Sequence, residues 1–499
     1  MLFAANISKA QDKIMVIADP HVLPQSVIAT EANFDNYMSK QRKMVDLSQP
    51  IWDALVDTAL AYHPALVLIP GDLTRDGEPE AHAYVSASLT RLQQAGIPTL
   101  VIPGNHDLPN TVEWESLYPI AGENIVRDVA TKSYAVKALQ GLTVIGIDGS
   151  DGTAGTGVLP ESTLQFILAQ ADAAAAQGHT IIAMAHWQIL EHFDQQGTLE
   201  SACRFKNADA LRDSLMAHGV HLVLTGHFHV NGITTFRDTT GLTTDSLVEI
   251  TTGSPITYPC PYRWLTFSED KATMTVQTDY LTAVDTIADL YTYSRDWMAE
   301  HTANMIPTLA LRAWNKVDSK WDNTVVPMLQ KAGLSSITIN YIHDKMLPSS
   351  DSARIDITRR HLGNAAINLY LFHSDANEFE RPEMGQALAD SVYVGMDGMM
   401  DECFGLLVEL ISSFKLMAHE MAQEPVQSLV EDKTLWKSEL HANVTDDLHP
   451  TLVINAPQNF EGLENHKLQI TNHKYIENGR LFIQVGDQIY TATGQSVNR

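Results

Sequence analysis

Apolar runs of strand length recur through the first half of the chain, and nearly every one ends in aspartate, asparagine or histidine. The runs are "KIMVIADPH", "PALVLIPGD", "PTLVIPGNHD", "LTVIGIDGS", "TIIAMAHWQ", "VHLVLTGHFH" and "SLVEITTGS". Helical patterns such as "IWDALVDTALAYH", "HAYVSASLTRLQQAG" and "PESTLQFILAQADAAAAQG" separate several of them. In the last, Pro160 suits a helix start and Gly178 a C-terminal cap. Alternation of this kind argues an α/β fold, in which ligands sit where loops leave the strand ends. The polar clusters are therefore expected together on one rim of a sheet.

At 499 residues the chain is longer than one compact core usually holds. Beyond about residue 283 the strand rhythm gives way to long helical patterns, from "VDTIADLYTYSRDWMAEHTANM" to "MAHEMAQEPVQSLVEDKTLW". Short alternating runs with turn signals such as Asn478-Gly479 return near the end. We expect a leader or disordered segment at 1–12, a catalytic domain at 13–282, a helical accessory domain at 283–440 and a β-rich tail at 441–499. The opening "MLFAANISKAQDK" reads equally as the remnant of a secretory signal or as a disordered terminus, so cytoplasmic and exported locations both stay open. No apolar run reaches the roughly 18–20 residues that span a bilayer. A formal charge of −27 repels nucleic-acid polymers, since no basic cluster reverses it. Bound cations would still admit a small phosphate ester. Cys203, Cys260 and Cys403 lie too far apart to suggest a disulfide framework or a cysteine-rich zinc site.

The strand-end clusters are "ADPH" (Asp19, His21), "GDLTRDG" (Asp72, Asp76), "GNHD" (Asn105, His106, Asp107), "MAHW" (His186) and "GHFH" (His227, His229). Mixed oxygen and nitrogen donors suit manganese, iron, zinc or cobalt better than calcium. Two such ions about 3.5–4 Å apart clamp the attacking and departing oxygens of an in-line phosphoryl displacement, and a carboxylate must bridge them. Taken singly, a histidine on an apolar strand is more often a core residue, and "ADPH" alone is a turn. "GNHD" is harder to dismiss, and "GHFH" puts two imidazoles on one side of an extended segment, since side chains alternate along a strand. The ordered set, each member after a buried strand, reverses the odds.

The set resembles the calcineurin-like metallophosphoesterase superfamily, over roughly residues 13–282. The resemblance implies a double β-sheet sandwich flanked by helices, here with a helical accessory domain and a β-rich tail. It also implies two divalent or trivalent metal ions, with manganese, iron and zinc the leading choices. Carried onto this chain, Asp19, His21 and His229 would hold one ion, Asn105, His186 and His227 the other, and Asp72 would bridge them. His106 would stabilise the phosphate and serve as general acid, oriented by Asp107 or Asp76, while Gly104 would let the backbone turn sharply. The implied chemistry is attack by a metal-bound hydroxide on a small phosphodiester, a cyclic nucleotide first among them. A phosphomonoesterase, another diesterase, or a catalytically weak scaffold are the alternatives.

"GDLTRDG" inverts the "G-D-x-V-D-R-G" order of the Ser/Thr protein phosphatases, leaving Asp76 where their phosphate-gripping arginine stands. Arg75 occupies the place of the tyrosine ligand of purple acid phosphatases. Both branches are disfavoured, and the block looks most like class III cyclic nucleotide phosphodiesterases. Among weaker candidates, His82 reads first as a helix-surface residue, and Tyr262 or Arg263 either line the pocket or belong to a structural loop. His192 lies near the rim, His218 and His221 read as solvated surface, and Asp148 closes a turn. The methionines of the helical region read as core fillers. Its amphipathic patterns suit a cap over the pocket or a homo-oligomer interface.

Overall fold

The computed structural model describes residues 12–151, 155–192, 196, 201–237, 246–376 and 381–404, positions 419 and 423, and the short strands at 441–443, 451–453, 472–477, 480–485, 488–491 and 496–497. The expected leader through residue 11, the helical pattern beyond 404 apart from positions 419 and 423, and Asn478-Gly479 lie outside the described residues. The chain divides into two units, Met1–Ile454 and Asn455–Arg499.

The first unit is built on two mixed sheets. One contains β1 (Lys13–Val16), β2 (Leu66–Pro70), β3 (Thr99–Ile102), β11 (Pro261–Phe267), β12 (Thr273–Tyr280) and β14 (Thr451–Val453), in the order β14-β12-β11-β1-β2-β3. The other contains β4 (Glu123–Arg127), β5 (Tyr134–Leu139), β6 (Leu142–Ile147), β7 (Thr180–Ala185), β8 (Leu222–Thr225), β9 (Gly232–Arg237), β10 (Ser246–Thr251) and β13 (His441–Asn443). Its order is β13-β9-β10-β8-β7-β6-β5-β4. β1, β2 and β3 run parallel, as do β6, β7, β8 and β10.

The two-residue period of a strand sorts the side chains into layers. Ile14, Val16, Leu66, Leu68, Leu100 and Ile102 meet Val144, Ile182, Met184, Leu222 and Leu224 between the sheets. The alternate residues Met15, Val67, Ile69 and Val101 face outward onto Trp52, Leu55, Val56, Val85 and Leu89 of helices α1 (Ser48–Tyr62) and α2 (Pro79–Gln94). On the far side Ile145, Ile181, Ala183 and Val223 pack on α3 (Glu161–Ala175) and α4 (Ala208–Ala217). Strands covered on both faces must be apolar throughout, which is why β2 and β7 read as continuous rather than alternating runs. The expected double sheet flanked by helices is what the chain forms.

The helical region follows β12. It comprises α5 (Leu290–Lys320), continued by a π-turn at Trp321–Val325, then α6 (Val326–Lys331), α7 (Ser336–Met346), α8 (Asp351–Asp375) and α9 (Pro382–Phe404). Asp289, Ser335 and Ser350 cap the starts of α5, α7 and α8 by accepting from the backbone three residues on. Trp314, Trp321, Ile339, Met346 and Ile357 form a core of their own. No described helix is long and apolar enough to cross a membrane. Of the strands after residue 440, β13 pairs with β9 and β14 with β12, extending the edges of the two large sheets. In the second unit β15 (Asn472–Glu477), β16 (Arg480–Val485), β17 (Gln488–Thr491) and β18 (Ser496–Val497) form an antiparallel sheet.

Leu224 is fully buried between the sheets. Leu224→Ala is expected to lower the unfolding free energy by about 2–5 kcal/mol, read by chemical denaturation.

Candidate metal centre

Every candidate donor sits in a loop leaving the C-terminal end of a parallel strand. Asp19 and His21 follow β1, Asp72 follows β2, Asn105 follows β3, His186 follows β7, and His227 and His229 follow β8. Five of them hold their backbone in the left-handed region, with φ of 52° at Asp19, 40° at His21, 50° at Asp72, 66° at His227 and 61° at His229. Residues with side chains avoid this region, at about 1–3 kcal/mol each, unless their surroundings impose it. Here backbone bonds impose it: His21 N–H donates to the Asp72 carbonyl (2.9 Å) and Asp19 N–H to that of Gly71 (3.3 Å). Ser254 Oγ–H donates to the Asp19 carbonyl at 2.6 Å.

Two neighbouring glycines serve close approach. A Cβ on Gly104 would lie 2.2 Å from Asp72 Oδ1, and one on Gly226 would lie 2.2 Å from Asp19 Oδ2. Gly104 does not have a positive φ, so the sharp turn expected of it is replaced by a need for space.

The donors converge in two groups, Asp19, His21, Asp72 and His229 in one, and Asp72, His186 and His227 in the other, each within 4.8 Å. Asn105 joins the second through Oδ1, 3.0 Å from His186 Nε2. Asp72 Oδ2 stands between them, 3.5 Å from His21 Nε2 and 3.3 Å from His186 Nε2. His21 Nε2 lies 3.1 Å from His229 Nε2, and His227 Nδ1 lies 3.0 Å from His186 Nε2.

This donor set fits metal ions. Ligands about 2.0–2.2 Å from one ion stand roughly 3–3.5 Å from each other, as these atoms do. His186 Nδ1 is 2.9 Å from the Pro70 carbonyl, an acceptor only, so Nδ1 carries the proton and Nε2 points a lone pair at Asp72, Asn105 and His227. These two Asp/His clusters make a dimetal-type site.

The electrostatics agree. Burial pushes Asp72 upward, but the imidazoles of His186, His21 and His106 outweigh it and hold the carboxyl well below its usual range. Burial, and then Lys43, push His21 well down. Burial and the neighbouring His186 push His227 down to about 3, leaving it neutral. His186 is opposed by burial yet raised to about 9 by Asp72 and Asp19, so its Nε2 answers to a strong local demand for positive charge. A divalent ion meets that demand in a proton's place.

The helper residues part company. His106 is partly exposed above the cluster, its Nδ1 2.7 Å from Asp76 Oδ1 and its ring edge-on to His21. Burial opposes its protonation, but Asp72 and Asp76 raise its pKa. Asp107 makes no bond to His106. Fully buried, it accepts from the N–H groups of Leu73 (3.1 Å), Thr74 (2.9 Å) and Gly104 (2.9 Å) and from the Thr74 hydroxyl, clamping the β2 and β3 loops together.

Other expectations resolve as follows. His82 is buried, not on the helix surface; it bonds the Asp107 carbonyl (2.9 Å) and the Tyr118 hydroxyl (2.8 Å). His192 is buried 3.1 Å from Glu249 Oε1. Tyr262 and Arg263 lie in β11, where Arg263 is buried and donates to Asn231. His218 pairs with Asp172 near the surface, His221 bonds the Ser246 carbonyl, and Asp148 closes a turn on Ser150 N–H.

Two groups escaped sequence reasoning. Glu249 on β10, fully buried, accepts from Ile189 N–H (2.9 Å), Leu190 N–H (2.7 Å) and the Thr225 hydroxyl (3.0 Å), fixing the loop after His186 and the end of β8. A charged residue inside "SLVEITTGS" was its only signal. Lys43, which no motif marks, is half-buried, and burial lowers its pKa against the opposing fields of Asp72, Asp76 and Asp19.

A site of this kind at the strand ends of a two-sheet α/β sandwich defines a phosphoesterase class of domain. Residues 12–231 match the calcineurin-like phosphoesterase family. A probable cyclic nucleotide phosphodiesterase of Rhodococcus erythropolis is 30% identical over 175 residues, covering 35% of this chain and 54% of that protein. The DNA double-strand break repair protein Mre11 of Sulfurisphaera tokodaii is 33% identical over 91 residues, covering 17% of this chain and 23% of that one. The chain thus spans about half the length of the first and under a quarter of the second. Among solved structures, a dimetal phosphatase from Danio rerio aligns at TM-score 0.40 and 14% identity, covering 53% of this chain and 95% of that one. A purple acid phosphatase from yellow lupin aligns at TM-score 0.33 and 11% identity, covering 56% and 53%.

Gly104→Ala drives a methyl into Asp72, and Gly226→Ala drives one into Asp19. Each is expected to reduce the metal retained after dialysis from about two ions per chain to one or none, by elemental analysis, with the far-UV circular dichroism unchanged.

Proposed function

We propose that this protein is a dimetal phosphodiesterase acting on small phosphate esters, with cyclic nucleotides the leading substrates. The observation that carries the reading is a buried carboxylate, Asp72, shared by two donor clusters directly beneath a partly exposed histidine. In this reading Asp19, His21 and His229 hold one ion, Asn105, His186 and His227 the other, and Asp72 belongs to both. When bound, the ions supply Lewis acidity and an activated water. His106, its pKa opposed by burial but raised by Asp72 and Asp76, delivers a proton to the departing oxygen.

The surroundings favour a small diester over a phosphoprotein. The one arginine of "GDLTRDG" is consumed: Arg75 Nη1 lies 2.5 Å from Glu31 and Nε 2.6 Å from Glu78. It cannot grip a phosphate as the protein phosphatases require. The strongly acidic chain disfavours polyanions. The partial likeness to a probable cyclic nucleotide phosphodiesterase supports the substrate class.

The test is hydrolysis by manganese-loaded protein of 3′,5′-cyclic AMP, 2′,3′-cyclic AMP, a nitrophenyl diester and a nitrophenyl monoester, with Asp72→Ala as the blank. Diesters are expected to be cleaved well above the monoester, and Asp72→Ala to lose both metal and turnover; near-normal turnover in that variant sinks the mechanism. His106→Ala is expected to keep its metal and lose roughly 10²- to 10⁴-fold in kcat, the range of a general acid. Loss of metal in its place would reassign His106 as a ligand.

A further inference from the structure

The cluster of Asp72, His186 and His227 rests on an indole. Trp187 follows His186 directly, is 1% exposed, and belongs to the apolar layer that β6 and β7 share with α3 and α4. Its ring reaches back from that layer to the centre. It stands edge-on to the His186 imidazole, 5.0 Å between centroids and 84° between planes, and tilted at 45° to that of His227, 5.8 Å away. The two imidazoles are themselves 4.8 Å apart. At the other cluster His21 meets the rings of His106 and His229 instead.

His186 and His227 are held differently. A histidine ligand is ordinarily aimed by a hydrogen bond from the ring nitrogen that does not face the ion. His186 has one, from Nδ1 to the Pro70 carbonyl at 2.9 Å. The His227 ring, among the described residues, has only the contact of Nδ1 with His186 Nε2 at 3.0 Å, inside the cluster, so no acceptor outside it sets the ring. The indole beside it is fixed. A Cβ on Gly149 would lie 3.3 Å from Trp187 Cε3 and one on Gly157 2.8 Å from Cδ2, and the Phe205 ring packs 5.9 Å away. Gln188 N–H donates to the Cys203 carbonyl (2.9 Å), Phe205 N–H to that of Gln188 (3.1 Å) and Lys206 N–H to that of Gly157 (3.0 Å), tying these segments around the ring. The indole N–H is buried with no acceptor among the described residues. An all-carbon ring would not carry that cost, so stability alone does not explain a tryptophan here.

Resting on the two-ion reading, we propose that Trp187 is a positioning residue for one ion of the pair. Its indole serves in place of a hydrogen bond to His227 and holds that ring, together with His186, toward the ion they share with Asn105 and Asp72. The ion of Asp19, His21 and His229 does not depend on it. Disturbing the outer apolar layer of the second sheet therefore unseats one ion and leaves the other.

The test is manganese titration of metal-free wild type, Trp187→Leu and Trp187→Phe, read by elemental analysis and electron paramagnetic resonance, with far-UV circular dichroism alongside. Two ions sharing Asp72 are expected to give a spin-coupled spectrum in the wild type. Trp187→Leu fills the apolar layer without a flat ring. One ion should then bind roughly 10- to 100-fold more weakly, leaving about one per chain with the spectrum of isolated manganese. Trp187→Phe should recover most of the lost affinity. Gly157→Ala, which drives a methyl at the indole from outside the centre, should act in the same direction as Trp187→Leu and carries the comparison if that variant does not fold. Both ions at full affinity in folded Trp187→Leu overturn the inference, as does equal weakening of the two. A wild type that binds one ion or none removes the two-ion reading and the inference with it. Wild type that holds both ions, loses one in Trp187→Leu and cleaves no diester leaves the inference standing and removes the phosphodiesterase reading.

Discussion

A carboxylate with almost no exposure to water, pressed on by imidazoles from both sheets, is the constraint around which the first unit is organised. Asp72 reaches His21 on one side and His186 on the other, and its Oδ1 accepts the His106 N–H at 2.9 Å. An anion so placed is tolerable only with strong local positive charge. The arrangement leaves no room for compromise nearby. Gly104 must lack a side chain for Asp72 to lie where it does, and Asp72, Asp19 and three histidines must accept left-handed backbone. Strain concentrated on the donors, and imposed by bonds between their loops, marks where the fold gives up stability for geometry.

The two sheets divide the work. Asp19, His21, Asp72 and Asn105 come from the sheet containing β1–β3, and His186, His227 and His229 from the sheet containing β7 and β8. Their spacing is therefore set by the apolar layer in which Leu68, Leu100, Met184 and Leu224 interlock. Close-packed interiors transmit small displacements poorly absorbed elsewhere. Each sheet also carries its own buried carboxylate clamp. Asp107 ties the β2 and β3 loops by accepting from Leu73, Thr74 and Gly104, and Glu249 ties the β7 loop to the end of β8 by accepting from Ile189, Leu190 and Thr225. Two or three backbone N–H groups satisfy each buried carboxyl group while it holds its loops still.

What was legible in the sequence was local. A strand covered on both faces has to be apolar throughout, so β2 and β7 announced themselves, and the donors stood out because each follows such a run by only a few residues. What was not legible depends on distant partners. Glu249 bonds groups 59 and 60 residues away, and nothing near it in sequence says that its charge turns inward to a loop. His82 looked like surface because it sits on a helix, yet α2 turns it toward the Asp107 carbonyl. Asp107 adjoins His106 in the chain, but consecutive residues leave a tight loop in different directions, and Asp76, thirty positions earlier, is the one that meets the imidazole. Gly104 was read for conformational freedom when the constraint is the volume of Asp72.

The helical region gains meaning from where it touches the two-sheet sandwich. Phe228, between the donors His227 and His229, packs with the His373 ring of α8 at 5.9 Å, and Val230 packs with Ala376 just beyond that helix. Tyr258, from the loop that secures Asp19, is hydrogen-bonded to Asp375 and lies 2.7 Å from the Tyr291 hydroxyl of α5, while Arg381 completes the link 2.8 Å from Asp375. Among the described residues the helices carry no donor cluster of the metal-binding kind. Their contacts fall instead on three segments of the sandwich: the "GHFH" loop, the 254–260 loop, and the segment of Ser39 and Arg42, where Asn304 donates to the Ser39 carbonyl and Tyr370 lies under the Arg42 guanidinium. A two-sheet scaffold fixes donors from below, at the strand ends, but leaves the far walls of its loops to whatever packs against them. Here that packing comes from α5 and α8, so the shape of the space above the donors is a property of both halves of the first unit.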